Sequence, residues 1–142
     1  VLQNDAPTLA SIEAQVQPHG WTQADFTQTL QQHASGLVLL CKSSQNIIGF
    51  CLWQQVLDEV SLLNIAVRPD YQRQGLGEQL LRHFLDNAKH HHALHVFLEV
   101  RRSNVAAIAL YEKLNFVEMG VRRHYYRTQE GREDALLMGY SL

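Results

Sequence analysis

A basic loop rich in glycine is the first feature of this sequence that could do chemistry. Residues 72–77 read QRQGLG, and they follow the apolar stretch 62–67. Glycine lets a backbone approach a bulky phosphate closely. Where such a loop leads into a helix, unpaired N–H groups and the positive end of the helix dipole point at the loop. The pattern therefore predicts a phosphate or pyrophosphate site.

The common nucleotide-binding motifs do not fit this loop. The Walker pattern requires a Lys followed by Ser or Thr after its last glycine, and this sequence has none there. The dinucleotide pattern GxGxxG requires a third glycine, but Gln79 and Leu80 occupy that part of the sequence. A different phosphate-bearing ligand is therefore expected.

Two other residues have side chains that could move protons. Glu99 interrupts an apolar segment near its end, where sheets of this kind place ligands, and a carboxylate can accept a proton. Tyr111 lies on the next predicted helix, and a tyrosine hydroxyl, with an ordinary pKa near ~10, can donate one. Structural roles stay open for both: a carboxylate that reaches solvent at a strand end, and a tyrosine in a helix core. Asn104 could likewise serve only as the N-cap of that helix.

Hydrophobic periodicity and turn residues predict the elements that must position these groups. The predicted helices span residues 6–17, 23–32, 75–89 and 105–114, and the predicted strands span 37–41, 47–56, 60–67, 94–100, 116–123 and 135–142. Residues 125–134 are polar, contain a Glu-Gly turn and are predicted as a loop. This order indicates a single α+β domain over residues 1–142, with a mixed, mostly antiparallel sheet and helices on both faces.

Composition narrows the class of protein. A chain of 142 residues with a net charge of −2 and a pI of about 6.5 has no global basic field that would favour nucleic acid. It contains no apolar run near the ~18 residues of a membrane helix and no visible signal peptide. We therefore expect a cytoplasmic protein without a membrane or direct nucleic-acid partner. Cys41 and Cys51 lie in apolar stretches and are expected to be buried, reduced thiols.

Two features have both a structural and a functional interpretation. The run His90, His91 and His92 could suggest a metal, but neighbouring residues on a helix point in different directions and no Cys or carboxylate pattern accompanies them. No metal site is therefore predicted, and the run is interpreted as a basic helix C-terminus. Trp21, between the first two predicted helices, is either a core anchor or part of a substrate groove.

Several sequence blocks resemble the GNAT superfamily of acetyl-CoA-dependent N-acetyltransferases. RPDYQRQGLGEQLL at 68–81 resembles its motif A, and NVAAIALYEKLNF at 104–116 resembles its motif B. Together with LEVRRSN at 98–104 and the late RRHYY and GREDA blocks, they resemble the bacterial ribosomal-protein alanine N-acetyltransferases of the RimI type. The resemblance covers about 56–137 and, more weakly, the first 50 residues. The sequence departs from the family at Asn115, where Gly is usual, and in a missing or shortened first strand.

The resemblance implies acetyl-CoA as the acetyl donor and a sheet whose two central strands splay apart around it. The pantetheine arm would pair with the backbone of Ile65, Ala66 and Val67, and Asn104 would lie near the pantetheine or its sulfur. The pyrophosphate would bind to the loop and helix start, made of Arg73, Gln74, Gly75, Leu76, Gly77 and Glu78.

The resemblance also implies an acceptor and assigns the proton transfers. Glu99 would be the general base and Tyr111 the general acid. The acceptor would be the N-terminal alanine of a small-subunit ribosomal protein, bound by Arg122, Tyr125, Tyr126 and Asp134. An α-amino group has a pKa near ~7.7–8.0 against ~10.4 for lysine, so a lysine costs about 3–4 kcal/mol more to deprotonate at neutral pH. A lysine or small-amine acetyltransferase and a CoA-binding module without catalysis remain alternatives.

Overall fold

A computed structural model describes residues 2–142 of the chain. The predicted order of helices and strands is confirmed, with shifts of a few residues at most ends. The elements are α1 (Ala6–Val16), α2 (Gln23–Gln31), β1 (Ser35–Leu40), β2 (Ile47–Val56), β3 (Glu59–Val67), α3 (Leu76–His90), β4 (His95–Arg101), α4 (Val105–Lys113), β5 (Val117–Thr128) and β6 (Gly131–Ser141).

The strands form one mixed sheet in the order β1-β2-β3-β4-β6-β5. β1 is antiparallel to β2, and β6 is antiparallel to both β4 and β5. β3 and β4 are parallel, and their ladder runs from the Glu59–His95 pair to the Leu62–Leu98 pair. β3 continues beyond that ladder to Val67. The expectation of a mixed, mostly antiparallel sheet is therefore confirmed.

Two compact units divide the chain. The first contains the described residues up to Gln54 together with Leu63–Asn87. Its core is apolar and includes Leu9, Ile12, Phe26, Phe50 and Leu52, which are all fully buried. Trp21 packs against this cluster, with its ring centroid 5.1 Å from that of Phe26. Of the two interpretations of Trp21, this contact supports the core anchor.

A buried carboxylate joins three parts of this first unit. Glu13 on α1 is 4% exposed, and one of its oxygens accepts hydrogen bonds from the Trp21 backbone N–H and from Asn64 Nδ2, each at 3.0 Å. These bonds satisfy a polar group that would be costly to bury alone. A Cβ on Gly20 would come within 2.6 Å of the same carboxylate oxygen, so the turn after α1 requires glycine there.

The second unit contains Gln55–Leu62 and Ala88–Leu142. Its strand β4 alternates between buried and partly exposed side chains, with Val96, Leu98 and Val100 buried. Glu99 therefore lies on the opposite face of the strand, because successive strand residues point to opposite sides. The alternation explains how an apolar segment can carry a reachable carboxylate.

The prediction of a loop over residues 125–134 is wrong. β5 extends to Thr128 and β6 begins at Gly131, with Thr128 paired to Gly131 and Tyr126 paired to Glu133. β5 ends the sheet and its residues are mostly exposed, so its polar residues lack the apolar alternation that marks a half-buried strand. Gly131, with a φ of +140°, provides the tight turn.

The burial of the two cysteines and the N-caps of two helices can also be compared with the sequence-based expectations. Both cysteines are free; Cys51 is buried as expected, but Cys41 is only partly buried, because it lies just after β1 where the chain turns. The cap expected at Asn104 is confirmed by a bond from the Ala107 backbone N–H, and Thr22 caps α2 through a bond from the Asp25 N–H; each bond is 3.2 Å long. Among residues 2–142, no helix is long and apolar enough to cross a membrane.

Candidate functional site

The loop before α3 has the geometry of an anion site. Arg73 and Gly75 have positive φ values of +64° and +77°, and a Cβ on Gly75 would meet open space. Gln72 Nε2 donates to the Val67 carbonyl at 2.9 Å, which ties the loop to the end of β3. Gly75 accepts from the Gln79 N–H at 3.0 Å, so the N–H groups of Leu76 and Gly77 precede the first rung of the helix.

The charges around this loop also suit an anion. α3 is 15 residues long, and its positive dipole end lies at Leu76, next to the exposed Arg73. The Glu78 carboxylate points along the helix surface, where it accepts from Arg82 Nε at 3.0 Å. The Arg82 contact therefore partly balances the negative charge of Glu78 at this end of the helix.

Arg68 has a structural role beside the loop. Its side-chain Nε donates to the Ile47 carbonyl at 2.9 Å, and its backbone N–H donates to the Ile48 carbonyl at 2.8 Å. These bonds fasten the end of β3 to β2. Arg68 and Tyr71 also line an open cavity of about 570 Å³ together with Thr8 and residues 44–48. The predicted site residues are not among those that line it.

Glu99 lies beside a cation that belongs to another strand. Arg122 Nε donates to Glu99 Oε1 at 2.8 Å, and the two side chains are 59% and 22% exposed, respectively. The register explains the contact, since Glu99 pairs with Leu137 on β6, and Arg122 pairs with Ala135. Residues two apart on a strand share a face, so both side chains lie on one face of the sheet.

Two tyrosines extend this polar cluster. The Arg122 guanidinium lies 5.3 Å from the Tyr125 ring centroid, and the Arg101 guanidinium lies 4.5 Å from that of Tyr126. Burial and, next, the negative charge of Glu99 raise the pKa of Tyr126 to about 12. Tyr126 therefore keeps its proton at neutral pH and can donate a hydrogen bond. The structure thus brings together Glu99, Arg122, Tyr125 and Tyr126.

The acidic residues of the β5–β6 hairpin are already engaged by protein groups. Asp134 accepts from the His124 backbone N–H at 3.0 Å and lies 3.7 Å from Arg102 Nε. Glu133 accepts from Ser103 Oγ at 2.9 Å and pairs with Arg101 at 3.3 Å. These contacts give both carboxylates a structural role within the unit. A direct contact of Asp134 with substrate stays a prediction.

The proposed acid lies on a capped, partly buried helix. Asn104 begins α4 as its N-cap, which confirms the structural half of its expected role. Tyr111 is 5% exposed, and its ring centroid lies 5.7 Å from that of Phe116. Asn115, just after the helix, has a φ of +74°, the left-handed conformation in which helices commonly end.

Arg101 is a site residue that the sequence analysis missed. It lies two residues after Glu99 on β4, contacts Tyr126 and pairs with Glu133. The signal was present, because a cation two positions from a carboxylate on one strand shares its face. The contacts of the Arg101 side chain depend on the positions of β5 and β6. The hairpin that joins these strands was wrongly predicted as a loop.

Comparison with known proteins decides the family. The model of the Acetyltransferase (GNAT) family matches residues 6–116. The chain belongs to this family. This GNAT acetyltransferase is 43% identical over 134 residues to the [ribosomal protein bS18]-alanine N-acetyltransferase of Escherichia coli K12, covering 94% of this chain and 89% of that protein. It is 37% identical to the protein of the same name from Haemophilus influenzae, covering 94% and 90% of the two chains.

Solved structures agree with the sequence comparison. The crystal structure of the ribosomal-protein-S18-alanine N-acetyltransferase from Escherichia coli matches with a TM-score of 0.91 and 41% identity, covering 99% of this chain and 90% of that one. Ard1 from Thermoplasma volcanium, at 24% identity and a TM-score of 0.87, shows the shared fold alone. The resemblance seen in the sequence blocks is therefore confirmed, and this GNAT acetyltransferase is an acyltransferase with the GNAT fold.

Proposed function

We propose that this enzyme transfers the acetyl group of acetyl-CoA to the α-amino group of an N-terminal alanine, on a small-subunit ribosomal protein. The observation that carries the proposal is the 43% identity, over 94% of this chain, to an enzyme named for the alanine of ribosomal protein bS18. The relatives from Escherichia coli and Haemophilus influenzae are both named as N-acetyltransferases, which favours an enzyme over a CoA-binding module without catalysis.

Acetyl-CoA supplies the activated acetyl thioester. The residues proposed to hold its pyrophosphate are Arg73, Gln74, Gly75, Leu76, Gly77 and Glu78. Support comes from the exposed loop, the positive φ values at Arg73 and Gly75, and the N–H groups ahead of the first helical rung. For the pantetheine amides we propose the backbone of Ile65, Ala66 and Val67, a stretch of β3 that lies past the last Leu62–Leu98 ladder pair. Asn104 is proposed to contact the same arm.

Glu99 is proposed to take the proton that the attacking amine must lose, directly or through one water molecule. Its side chain is 22% exposed, so an amine can reach it, and Arg122 holds one of its oxygens at 2.8 Å. An α-amino group with a pKa near ~7.7–8.0 is partly neutral at physiological pH and needs only a modest base. A lysine would demand a stronger one.

Tyr111 is proposed to hold the proton that the coenzyme sulfur takes up as it leaves. The proposal rests on the match of Tyr111 to the tyrosine of the ALYE block and on a hydroxyl being protonated at neutral pH. The N-capped helix α4 and the packing against Phe116 fix the ring, so the hydroxyl has a defined position.

The acceptor is proposed to bind along the face that carries Glu99. Arg122, Tyr125 and Tyr126 lie together there, and Tyr126 keeps its hydroxyl proton, which can be donated to a peptide carbonyl. Asp134 lies on the opposite face of β6, beside Arg102, so we propose that it acts on the acceptor only through its charge, which favours a cationic N-terminus.

Two peptides of matched length and one polyamine test the proposal: a lysine-free peptide that starts with alanine, the same peptide with a blocked N-terminus and one internal lysine, and spermidine. Coenzyme release is followed at saturating acetyl-CoA, and products are identified by mass spectrometry. We expect acetylation of the first peptide at its α-amino group. Product from only the lysine peptide or spermidine would assign the enzyme to those acceptors, and coenzyme binding without any product would contradict catalysis.

A further inference from the structure

Arg101 ends β4, two residues after Glu99, and its side chain is only 12% exposed. A nearly buried guanidinium needs several partners, because burying a charge without them is costly. Nothing in the proposed transfer of acetyl and protons uses this cation. The contacts of Arg101 therefore indicate its role.

The partners of Arg101 lie on both strands of the β5–β6 hairpin. Its Nη1 donates to the Arg127 carbonyl at 2.6 Å and pairs with Glu133 Oε1 at 3.3 Å. Its guanidinium also lies 4.5 Å from the centroid of the Tyr126 ring. One side chain thus contacts a backbone carbonyl and an aromatic ring on β5, and a carboxylate on β6.

The hairpin extends past the last β4–β6 ladder pair, where the Arg102 N–H bond to the Asp134 carbonyl, Ser103 and Arg101 hold it. The last pair between β4 and β6 joins Arg101 to Ala135, so the Tyr126–Glu133 pair lies beyond the end of β4. β5 is also irregular just before it. The β5–β6 register shifts between Arg122 and Tyr126, and His124 has a φ of +53°. An edge strand with such a bulge is locally less constrained than a regular ladder.

We propose that Arg101 is a positioning residue that clamps the acceptor side of the hairpin, holding Tyr126 in a fixed place relative to Glu99. The inference rests on the proposed function for its kinetic consequence, but the clamp itself is a structural statement. An arginine suits this role because its planar group donates in its own plane while its face stacks on an aromatic ring. A lysine could keep the ion pair with Glu133 but not all three contacts.

The test compares Arg101→Met and Arg101→Lys with the matched control Arg102→Met. Arg102 is the next residue, and its side chain is 54% exposed. Asp134 also accepts from the His124 N–H, a bond in which Arg102 takes no part. Each variant is checked for folding by thermal unfolding. Steady-state kinetics then give KM for the alanine peptide and for acetyl-CoA, and hydrogen exchange reports the mobility of residues 122–133.

For Arg101→Met we expect KM for the peptide to rise about tenfold or more, because Tyr126 loses its fixed position on the acceptor side. KM for acetyl-CoA should change less than about twofold, and exchange should accelerate over 122–133. The peptide KM and the exchange rate of Arg101→Lys should lie between those of Arg101→Met and those of the unmodified enzyme. Arg102→Met should resemble the unmodified enzyme.

An unchanged peptide KM with unchanged exchange in a folded Arg101→Met variant would overturn the clamp. Equal rises in both KM values would also overturn it, because they would indicate a general loss of structure. If Arg101→Met does not fold, Arg101→Lys and Glu133→Gln give the same comparison. If the unmodified enzyme fails to acetylate the peptide, the proposed acceptor is wrong, and hydrogen exchange still tests the clamp.

Discussion

Glu99 and Arg122 form an ion pair between strands that are not neighbours. Glu99 lies on β4 and Arg122 on β5, with β6 between them, yet Arg122 Nε lies 2.8 Å from Glu99 Oε1. The side chains reach across the face of β6 above Leu137 and Ala135, their respective partners in its two ladders. The candidate base therefore has its orientation set by a residue on the candidate acceptor strand.

Replacing Arg122 with Gln should affect activity more than stability. The Arg122 side chain is 59% exposed, and exposed ion pairs contribute less than about 1 kcal/mol to folding. The same change removes the cation that orients Glu99 and contacts Tyr125, so we expect kcat/KM for the peptide to fall about tenfold, equivalent to ~1.36 kcal/mol. Chemical denaturation and steady-state kinetics measure the two effects. Arg122→Lys keeps the charge and should recover part of the loss; full activity in Arg122→Gln would contradict this role.

Glu99→Gln should lower kcat by about 10²-fold at neutral pH, the lower end for general base catalysis. The deficit should shrink as the pH rises above ~8, because the α-amino group then loses its proton without help. The measurement is a pH–rate profile of both enzymes with the alanine peptide. A deficit of the same size at every pH would show that Glu99 does not act as the base.

Tyr111→Phe should slow turnover while leaving coenzyme binding nearly unchanged. Phenylalanine keeps the ring that packs 5.7 Å from Phe116 but removes the proton donor. We expect kcat to fall about 10²-fold, within the range of general acid catalysis. Calorimetric titration with CoA and thermal unfolding serve as controls for binding and folding. Wild-type turnover in a folded Tyr111→Phe variant would rule out Tyr111 as the general acid.

Glu13→Ala should destabilise the fold, because two hydrogen-bond donors lose their acceptor. The substitution removes the acceptor for the Trp21 N–H and the Asn64 side-chain amide, and an unsatisfied buried donor costs about 1–3 kcal/mol. Glu13→Gln keeps an acceptor oxygen and should cost less. Urea denaturation measures the free energy of unfolding of both variants, and the comparison requires that their m-values be equal. Equal stability of Glu13→Ala and the unmodified enzyme would rule out this role of the carboxylate.

Cys41 should react selectively, with a rate that depends on pH. Hydrogen bonds from the hydroxyl of Ser43 and then Ser44 lower the pKa of the Cys41 thiol to about 6. Because the lowered pKa favours the thiolate, the reactive form predominates above pH ~6 and is lost as the pH falls through that value. Burial raises the pKa of the Cys51 thiol, so that thiol should react only after unfolding.

Mass spectrometry after iodoacetamide treatment from pH 5 to 9 measures this difference. The Ser43→Ala variant should shift the alkylation profile of Cys41 to higher pH, since it removes the largest stabilising contact of the thiolate. A profile centred near the ordinary thiol pKa in the unmodified enzyme would contradict the expectation.

The sequence by itself determined the element order, the glycine loop and the family. These depend on near neighbours along the chain: the spacing of Leu80, Leu81 and Phe84 on α3, or the glycines that follow Arg73. Such patterns are local, since helical periodicity and turn chemistry arise from residues only a few positions apart. Single residues such as the Asn104 cap were predictable for the same reason.

Only the tertiary structure decided what surrounds Glu99. Arg122 reaches it across β6, Arg101 fastens Tyr126 and Glu133 beyond the end of β4, and Asp134 binds the His124 N–H of the bulge. These contacts depend on strand register, and a shift of one residue would turn each side chain to the other face of the sheet. Register is set by the whole sheet together with the bulge in β5, so no pattern of neighbouring residues in the sequence could have determined it.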